Sequence, residues 1–379
     1  MSKAILFIDH ATALGGAEHS LLLILQHLNR EQWSPHVVCC PGALAQKTAD
    51  LHIPHHTFDL PRLRRSPRLL TDGVGQVRQL AKLARQLEAT ALYANTVRAA
   101  LYAAPAARLA KRPFIWHMRD FWLSENKPAN PQIDTTLKKL LCRTASRVIT
   151  NSQAVADHMP CPGKTSVVLN GIDVSRYDPT RRGITFKKRY EIPDDVPIIG
   201  MVGRLRPWKG QVRFLEMAAE ISQQHPAATF IIVGGSPFGV EDDYPQQLQQ
   251  LTADLNLSER VLFTGHLDDV RPALAAMTIF VHPGEPEPFG LVNVEAMAMG
   301  KPVVALGHGA LPEIVLPGET GLLVLPGDQH GLAQAVMSLL KNPAQCARMG
   351  QAGRERVVHH FTIQRTTTAI EAILRQVTA

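Results

Sequence analysis

The chain of 379 residues is 45% hydrophobic and 19% charged, which excludes intrinsic disorder, and it shows no apolar run of the roughly 20 residues that a membrane span needs. Its charge is unevenly divided: residues 1–190 hold 27 Lys and Arg against 13 Asp and Glu, a balance of +14, while residues 191–379 hold 13 against 20, a balance of −7. Length and charge together predict two domains with different partners.

Short apolar runs alternate with longer helical patterns along the chain. The predicted strands are residues 4–8, 37–40, 91–93, 114–117, 148–150, 166–169, 198–202, 228–233, 261–264, 279–282 and 302–305. Unbroken Val, Ile and Leu runs separated by helices are typical of parallel strands that are covered on both faces. The sequence therefore predicts two α/β sandwiches, joined by a linker in the Pro-, Gly- and charge-rich stretch 178–197.

The cysteines and the N-terminus bear on the compartment. The five cysteines are odd in number and show no C-x-x-C spacing, so we expect neither a disulfide framework nor a structural zinc site. This usage, and an opening apolar run without a cleavage region, favours a reducing cytosol.

Two segments that follow predicted strands carry groups suited to anions. Gly15 and Gly16 follow the first strand and would open a helix, whose free N–H groups attract anions; a plain tight turn is the alternative. Arg204, Arg206 and Lys209 follow strand 198–202, where they could converge on a phosphate or form a solvated basic loop. Neither segment matches the dinucleotide fingerprint, and Gly163-Lys164-Thr165 lacks the earlier glycine of a P-loop.

Two carboxylates surround a Pro-Phe-Gly turn after strand 279–282. Glu287 precedes the predicted helix, and Glu295 lies about two turns inside it. Such carboxylates suit hydrogen bonds to the neighbouring hydroxyls of a ribose or sugar ring; helix capping is the alternative interpretation of a single Glu at this position.

An ordered set of motifs resembles the family-4 retaining glycosyltransferases. The signature is Glu287-Pro-Phe-Gly-Leu-Val-Asn-Val-Glu295-Ala-Met-Ala-Met-Gly-Lys-Pro-Val-Val-Ala, and the accompanying motifs are Gly15-Gly16-Ala-Glu, His117, Thr150-Asn-Ser152, Asn170-Gly-Ile-Asp173, Gly203-Arg-Leu with Lys209-Gly, and Gly318-Glu-Thr-Gly-Leu-Leu-Val with Pro326-Gly-Asp328. They follow the family's order over nearly the whole chain.

The resemblance implies an α/β chain with the GT-B fold, in which two Rossmann-like parallel-sheet domains face a cleft. The implied domains are an N-terminal acceptor-binding domain (1–180), a C-terminal donor-binding domain (181–358) and a last helix (359–379) that crosses back to the first domain. The implied activity is transfer of a sugar from a nucleotide-sugar donor, with retention at the anomeric carbon and no metal or other cofactor.

The resemblance also implies roles for individual residues. Arg204 and Lys209 would hold the donor diphosphate, Glu287 the sugar hydroxyls and Glu295 the ribose, with His117 near the transferred sugar. The remaining implied donor contacts are Gly15 and Gly16 near the phosphates, His266 and Leu267 near the base, and Phe289, Gly290 and Leu291 in the signature turn.

Two departures from the family pattern concern the donor sugar. Gly284 stands where a serine is common, and the segment 307–313 replaces the usual double glycine before Pro312-Glu313. The identity of the transferred sugar therefore stays open.

The basic half contains a cluster comprising Arg62, Arg64, Arg65, Arg68, Arg78, Lys82 and Arg85. With the resemblance, it favours a lipid-linked or glycan-precursor acceptor at an anionic membrane surface over a merely solvated face. No stacking-aromatic array supports a nucleic-acid partner. A sugar-nucleotide epimerase and a non-catalytic nucleotide-sugar binding module remain alternative functions.

Overall fold

The computed structural model describes residues 2–61, 67–123, 128, 130–181, 183–236, 243–328 and 330–379. The chain forms two compact units: the N-terminal unit comprises Met1–Gly171 and Ile363–Ala379, and the C-terminal unit comprises Ile172–Thr362. The predicted boundaries, after residues 180 and 358, thus differ from those of the structure, after residues 171 and 362. The predicted linker 178–197 lies within the C-terminal unit.

The N-terminal unit is built on one parallel sheet of seven strands in the order β3-β2-β1-β4-β5-β6-β7. The strands are β1 Lys3–Ile8, β2 Trp33–Cys39, β3 His55–Thr57, β4 Ala91–Ala94, β5 Phe114–Met118, β6 Arg147–Thr150 and β7 Thr165–Val167. The helices of this part of the chain are α1 Gly16–His27, α2 Ala43–Asp50, α3 Pro67–Gln86, α4 Val97–Ala110, α5 Pro131–Thr144 and α6 Gln153–Ala156.

Strand β1 explains why this sheet carries helices on both faces. Ile5 and Phe7 pack in one hydrophobic cluster, whereas Leu6 and Ile8 pack in another, and all four are fully buried. Because successive side chains of a strand point to opposite faces, an unbroken apolar run needs a helical layer on each side. The predicted sandwich architecture is confirmed here.

The C-terminal unit has a six-stranded parallel sheet in the order β10-β9-β8-β11-β12-β13. Its strands are β8 Ile198–Val202, β9 Thr229–Val233, β10 Val261–Gly265, β11 Ile279–His282, β12 Val303–Leu306 and β13 Gly321–Val324. Its helices are α7 Ile184–Arg189, α8 Gln211–Gln224, α9 Tyr244–Asp254, α10 Arg271–Ala276, α11 Leu291–Ala298, α12 Leu311–Ile314, α13 Gly331–Leu340 and α14 Pro343–His360. Helix α7 lies inside the predicted linker.

The last helix, α15 (Ile363–Val377), belongs to the N-terminal unit. Ile363, Ile370 and Leu374 are buried in the same hydrophobic cluster as Leu21 and Ile24 of α1. Thr366 Oγ1 donates to Leu169 O at 2.8 Å, which ties the helix to the end of the sheet.

The structure corrects the expectation for the cysteines. Cys142, near the end of α5, and Cys161, in the loop before β7, form a disulfide although 19 positions separate them. Lys164 Nζ donates to the carbonyl oxygens of Cys142 and Ala145, so the loop is fastened to the end of α5. Sequence spacing did not reveal the pair because β6 and α6 lie between the two residues and bring them together only in the fold.

No helix among the described residues is both long enough and apolar enough to cross a bilayer.

Candidate functional site

The order of strands in the C-terminal unit defines where a ligand site can form. The chain moves outward from β8 to β10 and then returns to the other side of β8 at β11. The segments that leave β8 and β11 therefore diverge, and ligands of open α/β sheets bind in the crevice at such a switch point. Both segments singled out in the sequence, 203–210 and 283–290, begin at this point.

Lys209 and Glu287 form an ion pair across the switch point. Lys209 ends a turn of 3₁₀ helix after β8, and its Nζ donates to Glu287 Oε1. The two segments are also joined by Glu285 N, which donates to Trp208 O at 2.7 Å. Gly210 has a φ of +80° and approaches the β11 segment so closely that a Cβ would lie 2.4 Å from Pro283 O.

Backbone contacts hold Glu287 in place, and neighbouring charges favour the ionised form of its carboxyl. Ala310 N donates to Glu287 O at 2.9 Å, and Gly309 fits because a Cβ there would lie 2.6 Å from the same oxygen. Burial opposes ionisation of Glu287, but Lys209, His282 and Arg204 together lower the pKa of its carboxyl. The altered segment 307–313 thus supports Glu287, while the Arg204 side chain is exposed beside it.

Glu295 lies in α11 and has a partner that sequence reasoning missed. Tyr177, in the segment before α7, makes a side-chain hydrogen bond to Glu295. Burial raises the pKa of Glu295, while the hydrogen bond from Tyr177 and the charge of Arg176 act in the opposite direction. On balance the pKa of Glu295 lies above its usual range, and the Tyr177 hydroxyl offsets part of that rise and orients the carboxylate.

The remaining residues expected near a donor are placed as follows. His266 is exposed and Leu267 is half-buried, directly after β10. The Phe289 ring is buried edge-on against Phe361, which leaves its backbone rather than its side chain for a ligand. Gly290, with a φ of +84°, and Leu291 form the start of α11.

An open pocket of about 280 Å³ lies beside the ends of β8, β9 and β10. Its lining residues are Leu205, Gly234, Gly235, Ser236, Pro245, Gln249, Phe263 and Gly265.

The N-terminal unit has its own switch point, between β1 and β4. Gly15 caps α1 and Gly16 is its first residue, as the sequence predicted for a strand-to-helix turn. Glu18 Oε2 accepts from Gly15 N at 2.7 Å, so one of the free N–H groups of the turn already has an internal partner. Burial and the charge of Asp9 raise the pKa of Glu18 to about 7.

A buried polar network underlies this turn, and the sequence motifs named above include only one of its side chains, that of Asn170. Asn95 Nδ2 donates to Asp9 Oδ2 at 2.7 Å and to Ala17 O at 3.2 Å. Arg119 donates to Asn95 Oδ1 through Nε at 2.8 Å, and to Ser20 Oγ and Asn170 Oδ1 through Nη1 at 2.9 Å each. Asp9, Asn95 and Arg119 stand directly after β1, β4 and β5, and a polar residue at the end of an apolar strand is the sequence signal that these three share.

His117 lies in β5 and is fully buried. Its Nδ1 shares a 2.5 Å hydrogen bond with the Tyr93 hydroxyl, and its Nε2 has no partner among the described residues. Burial and the charge of Arg119 lower the pKa of His117 well below its usual range. The imidazole is therefore neutral, and its implied contact with a sugar stays a prediction.

The chain has recognisable relatives. Residues 14–176 match the family described as Glycosyltransferase Family 4, and residues 184–356 match Glycosyl transferases group 1. The lipopolysaccharide core biosynthesis mannosyltransferase LpsB of Rhizobium meliloti is 30% identical over 247 residues, which are 65% of this chain and 70% of that protein. The chain belongs to the family-4 glycosyltransferases.

Two further similarities support membership of this glycosyltransferase family. The alpha-maltose-1-phosphate synthase of Mycolicibacterium smegmatis is 30% identical over 281 residues, covering 68% of this chain and 70% of that protein. The crystal structure of Anabaena HepE in complex with UDP-glucose superposes with a TM-score of 0.84 at 29% identity, over 98% of this chain and 99% of that one. The predicted GT-B class, with two Rossmann-like parallel-sheet domains, is confirmed, and this family-4 member is a glycosyltransferase.

Among the described residues of this glycosyltransferase, no group of three or more His, Cys, Asp and Glu side chains is placed to hold a metal ion.

Proposed function

We propose that the chain is a retaining, metal-independent glycosyltransferase that binds a nucleotide-sugar donor at the switch point of the C-terminal unit. The observation that carries the proposal is the Lys209–Glu287 ion pair, which lies at the carboxyl ends of β8 and β11 with Arg204 beside it. It offers cations for a diphosphate and a carboxylate for sugar hydroxyls within one cluster.

The cluster suits the charge changes of glycosyl transfer. Cleavage of the bond between sugar and phosphate leaves extra negative charge on the departing diphosphate, while the anomeric carbon becomes electron-poor. Lys209 and Arg204 would stabilise the diphosphate, and fixed charges in a partly desolvated site do so without reorganising. In the retaining scheme, the acceptor hydroxyl attacks from the face that the diphosphate leaves and transfers its proton to a departing phosphate oxygen.

Glu295 would complete the donor site on the nucleoside side. Its carboxylate already accepts one hydrogen bond from Tyr177 and has further lone pairs for two vicinal ribose hydroxyls. The pocket at the ends of β8, β9 and β10 lies in the same unit, with His266 and Leu267 following β10, and would receive the base.

UDP-glucose is the first donor to test, because the similar structure of Anabaena HepE was solved with this compound. GDP-mannose is the second candidate, because a similar protein of Mycolicibacterium smegmatis is named a GDP-mannose-dependent mannosyltransferase. A matching donor raises the unfolding temperature by mass action, so thermal shifts across UDP-, GDP- and ADP-sugars identify it. Donor hydrolysis without acceptor then confirms turnover.

The matched variants are Glu287→Gln and Glu285→Gln. Glu285 stands two positions away and pairs with Arg213 on an exposed surface. We expect donor turnover to fall at least tenfold in Glu287→Gln and to stay near the wild-type rate in Glu285→Gln. Equal rates in the two variants would remove Glu287 from the site.

Stereochemistry and metal dependence need their own measurements. Proton NMR of the fresh product should show the anomeric configuration of the donor, and inversion would contradict the retaining mechanism. Activity should survive excess EDTA, because Lys209 and Arg204 supply the positive charge at the diphosphate. An epimerase, the alternative from the sequence, would instead convert the donor to an epimer with no acceptor present.

We further propose that the acceptor is a glycan precursor or lipid-linked saccharide at an anionic membrane surface in the cytosol. Arg78, Lys82 and Arg85 are exposed on α3, whereas Arg62, Arg64, Arg65 and Arg68 lie outside the residues whose side chains the structure describes. Flotation with phosphatidylglycerol vesicles at low salt should recover the wild-type protein and lose the Arg78, Lys82 and Arg85 to Glu triple variant. Absence of wild-type binding would contradict the membrane part of this proposal.

The Cys142–Cys161 disulfide provides a test of the compartment. Thiols are kept reduced in the cytosol, so a cytosolic protein that is alkylated at the moment of cell lysis should show both cysteines as free thiols, and the disulfide would then form only on later oxidation. An intact disulfide under these conditions would contradict the cytosolic location.

A further inference from the structure

His282 ends β11 directly below the Lys209–Glu287 pair and is 5% exposed. Its Nδ1 lies 3.3 Å from Asn293 Nδ2, and the same amide nitrogen donates to Gly290 O at 3.0 Å. A carbonyl oxygen accepts only, so the atom of Asn293 that faces Gly290 O must be the NH₂ group. The amide therefore donates its second hydrogen to the ring of His282.

This donation fixes the tautomer of His282. Nδ1 accepts from Asn293, so in the neutral ring the hydrogen lies on Nε2. Burial, joined by the charges of Lys209 and His308, lowers the pKa of His282 to about 4 against the opposing effect of Glu287, so the ring is neutral near pH 7. His282 thus presents one uncharged N–H donor toward the candidate site.

One carboxylate oxygen of the candidate site lies near that donor. Nε2 of His282 lies 3.7 Å from Glu287 Oε1, beyond hydrogen-bond distance, and it has no hydrogen-bond partner among the described residues. Oε1 is also the oxygen that receives Lys209 Nζ. The same carboxylate oxygen therefore has one partner in place and a second donor held close by.

The two partners differ in what a bound anion does to them. Lys209 is drawn toward an incoming diphosphate, whereas a neutral ring fixed by Asn293 is not. Glu287 would then lose its main counter-charge while it remains nearly enclosed, and the exposed Arg204 is the other cation that faces it. A buried carboxylate without a partner takes up a proton.

We propose that His282 is a positioning residue that takes over Oε1 of Glu287 when an anionic ligand draws Lys209 away. The inference rests on the proposed nucleotide-sugar function. The new hydrogen bond keeps Glu287 ionised and in place, so that it can accept from a sugar hydroxyl while Lys209 serves the diphosphate. Asn293 acts on Glu287 indirectly, because it sets the tautomer of the His282 ring.

The test measures proton uptake on ligand binding rather than the stability of the fold. UDP, GDP and ADP are titrated into wild-type protein and variants by calorimetry at about pH 6, in buffers of different ionisation enthalpy, which gives the number of protons taken up on binding. His282→Asn loses the Nε2 donor, so we expect additional proton uptake at Glu287 and about tenfold weaker binding. His282→Gln places an amide N–H near Nε2 and should restore both values toward those of the wild type.

Controls separate this role from a structural one. Glu287→Gln has no carboxyl to protonate, so adding His282→Asn to it should cause no further proton uptake. Equal uptake by His282→Asn and wild type, or no restoration by a folded His282→Gln variant, would overturn the inference. Absence of UDP, GDP and ADP binding to the wild type would instead overturn the nucleotide-sugar proposal.

A measurement on the unaltered protein covers the case in which the variants do not fold. In ¹⁵N NMR spectra, His282 should show a protonated Nε2 and an unprotonated Nδ1, and the Nε2–H signal should move downfield when UDP or GDP binds. A signal that stays in place while the nucleotide binds would also overturn the inference.

Discussion

The two units each collect polar side chains at the switch point of a parallel sheet, yet the two collections differ in kind. In the C-terminal unit, Lys209 and Glu287 are partly exposed and can exchange partners. In the N-terminal unit, Asp9 and Asn95 are fully enclosed and hydrogen-bonded to one another, and Asn95 also accepts from Arg119. Topology thus determines where polar groups gather, whereas burial and the number of internal partners determine whether they bind a ligand or shape a loop.

The largest expected effect is the loss of rate on removing Lys209. Lys209→Met should lower donor turnover about 100- to 1,000-fold, since it removes a fixed charge at the departing diphosphate. The free energy of unfolding should fall by only about 1 to 2 kcal/mol, because Glu287 can take up a proton when its counter-charge is removed. Turnover assays and urea unfolding of the same preparations measure the two effects.

Lys341→Met is the matched control in the same unit, since Lys341 is exposed at the end of α13. It should change neither quantity. A Lys209→Met variant whose rate is unchanged but whose stability falls sharply would make this pair structural, and the contrast between the units would disappear.

The same contrast shows how much of the molecule the sequence could predict. Strand runs such as 198–202 and 279–282 were predictable to the residue, because buried parallel strands require unbroken apolar sequence. Strand β3 was missed because His55–Thr57 is a polar strand at the edge of the sheet, where only one of its two edges is hydrogen-bonded to a neighbour. Helix α7 was missed because its charged residues and flanking prolines resemble a linker.

The candidate site was predictable only where its members are close in the chain. Glu287 and Glu295 stand in one signature, and Lys209 stands in a loop that follows a clear strand. Asp9 and Asn95 are 86 positions apart, and only the adjacency of β1 and β4 brings them together. The sequence places His282 at the end of a strand but does not reveal its role, because no local pattern shows that Asn293 contacts its ring and sets the tautomer.

Removal of Arg119 should have the next largest effect, and on stability. Arg119→Met leaves Asn95, Ser20 and Asn170 without their shared donor in a buried site, and the cost should be about 3 kcal/mol. Tryptophan fluorescence during urea unfolding measures it, because Trp33, Trp116 and Trp122 belong to the N-terminal unit and Trp208 alone belongs to the other.

Arg213→Met is the comparison from the C-terminal unit. Arg213 pairs with Glu285, and both side chains are about half exposed, so its loss should cost less than about 1 kcal/mol. Equal costs for Arg119→Met and Arg213→Met would show that the buried network contributes no more than a surface pair.

A further expected effect is a pH dependence of the N-terminal unit that comes from Glu18. Its pKa is raised from 4.5 to about 7, so between these values the folded state holds a proton that the unfolded state has released. Stability of this unit therefore falls as pH rises from about 4.5 to 7, by at most about 1.4 kcal/mol per pH unit for one proton. Glu18→Gln removes this contribution while its side-chain oxygen can still accept from Gly15 N.

Urea unfolding followed by tryptophan fluorescence at several pH values between 4.5 and 7 measures the slope. Burial also raises the pKa of Asp9, which contributes a slope of the same sign. The unfolding free energy of the variant should therefore depend on pH less steeply than that of the wild type, but should still depend on it. In the C-terminal unit, Glu287 has a lowered pKa and contributes with the opposite sign. Identical slopes for Glu18→Gln and wild type would mean that Glu18 is ionised in the folded protein, and the turn at Gly15 would then carry a full negative charge where an anionic ligand would otherwise bind.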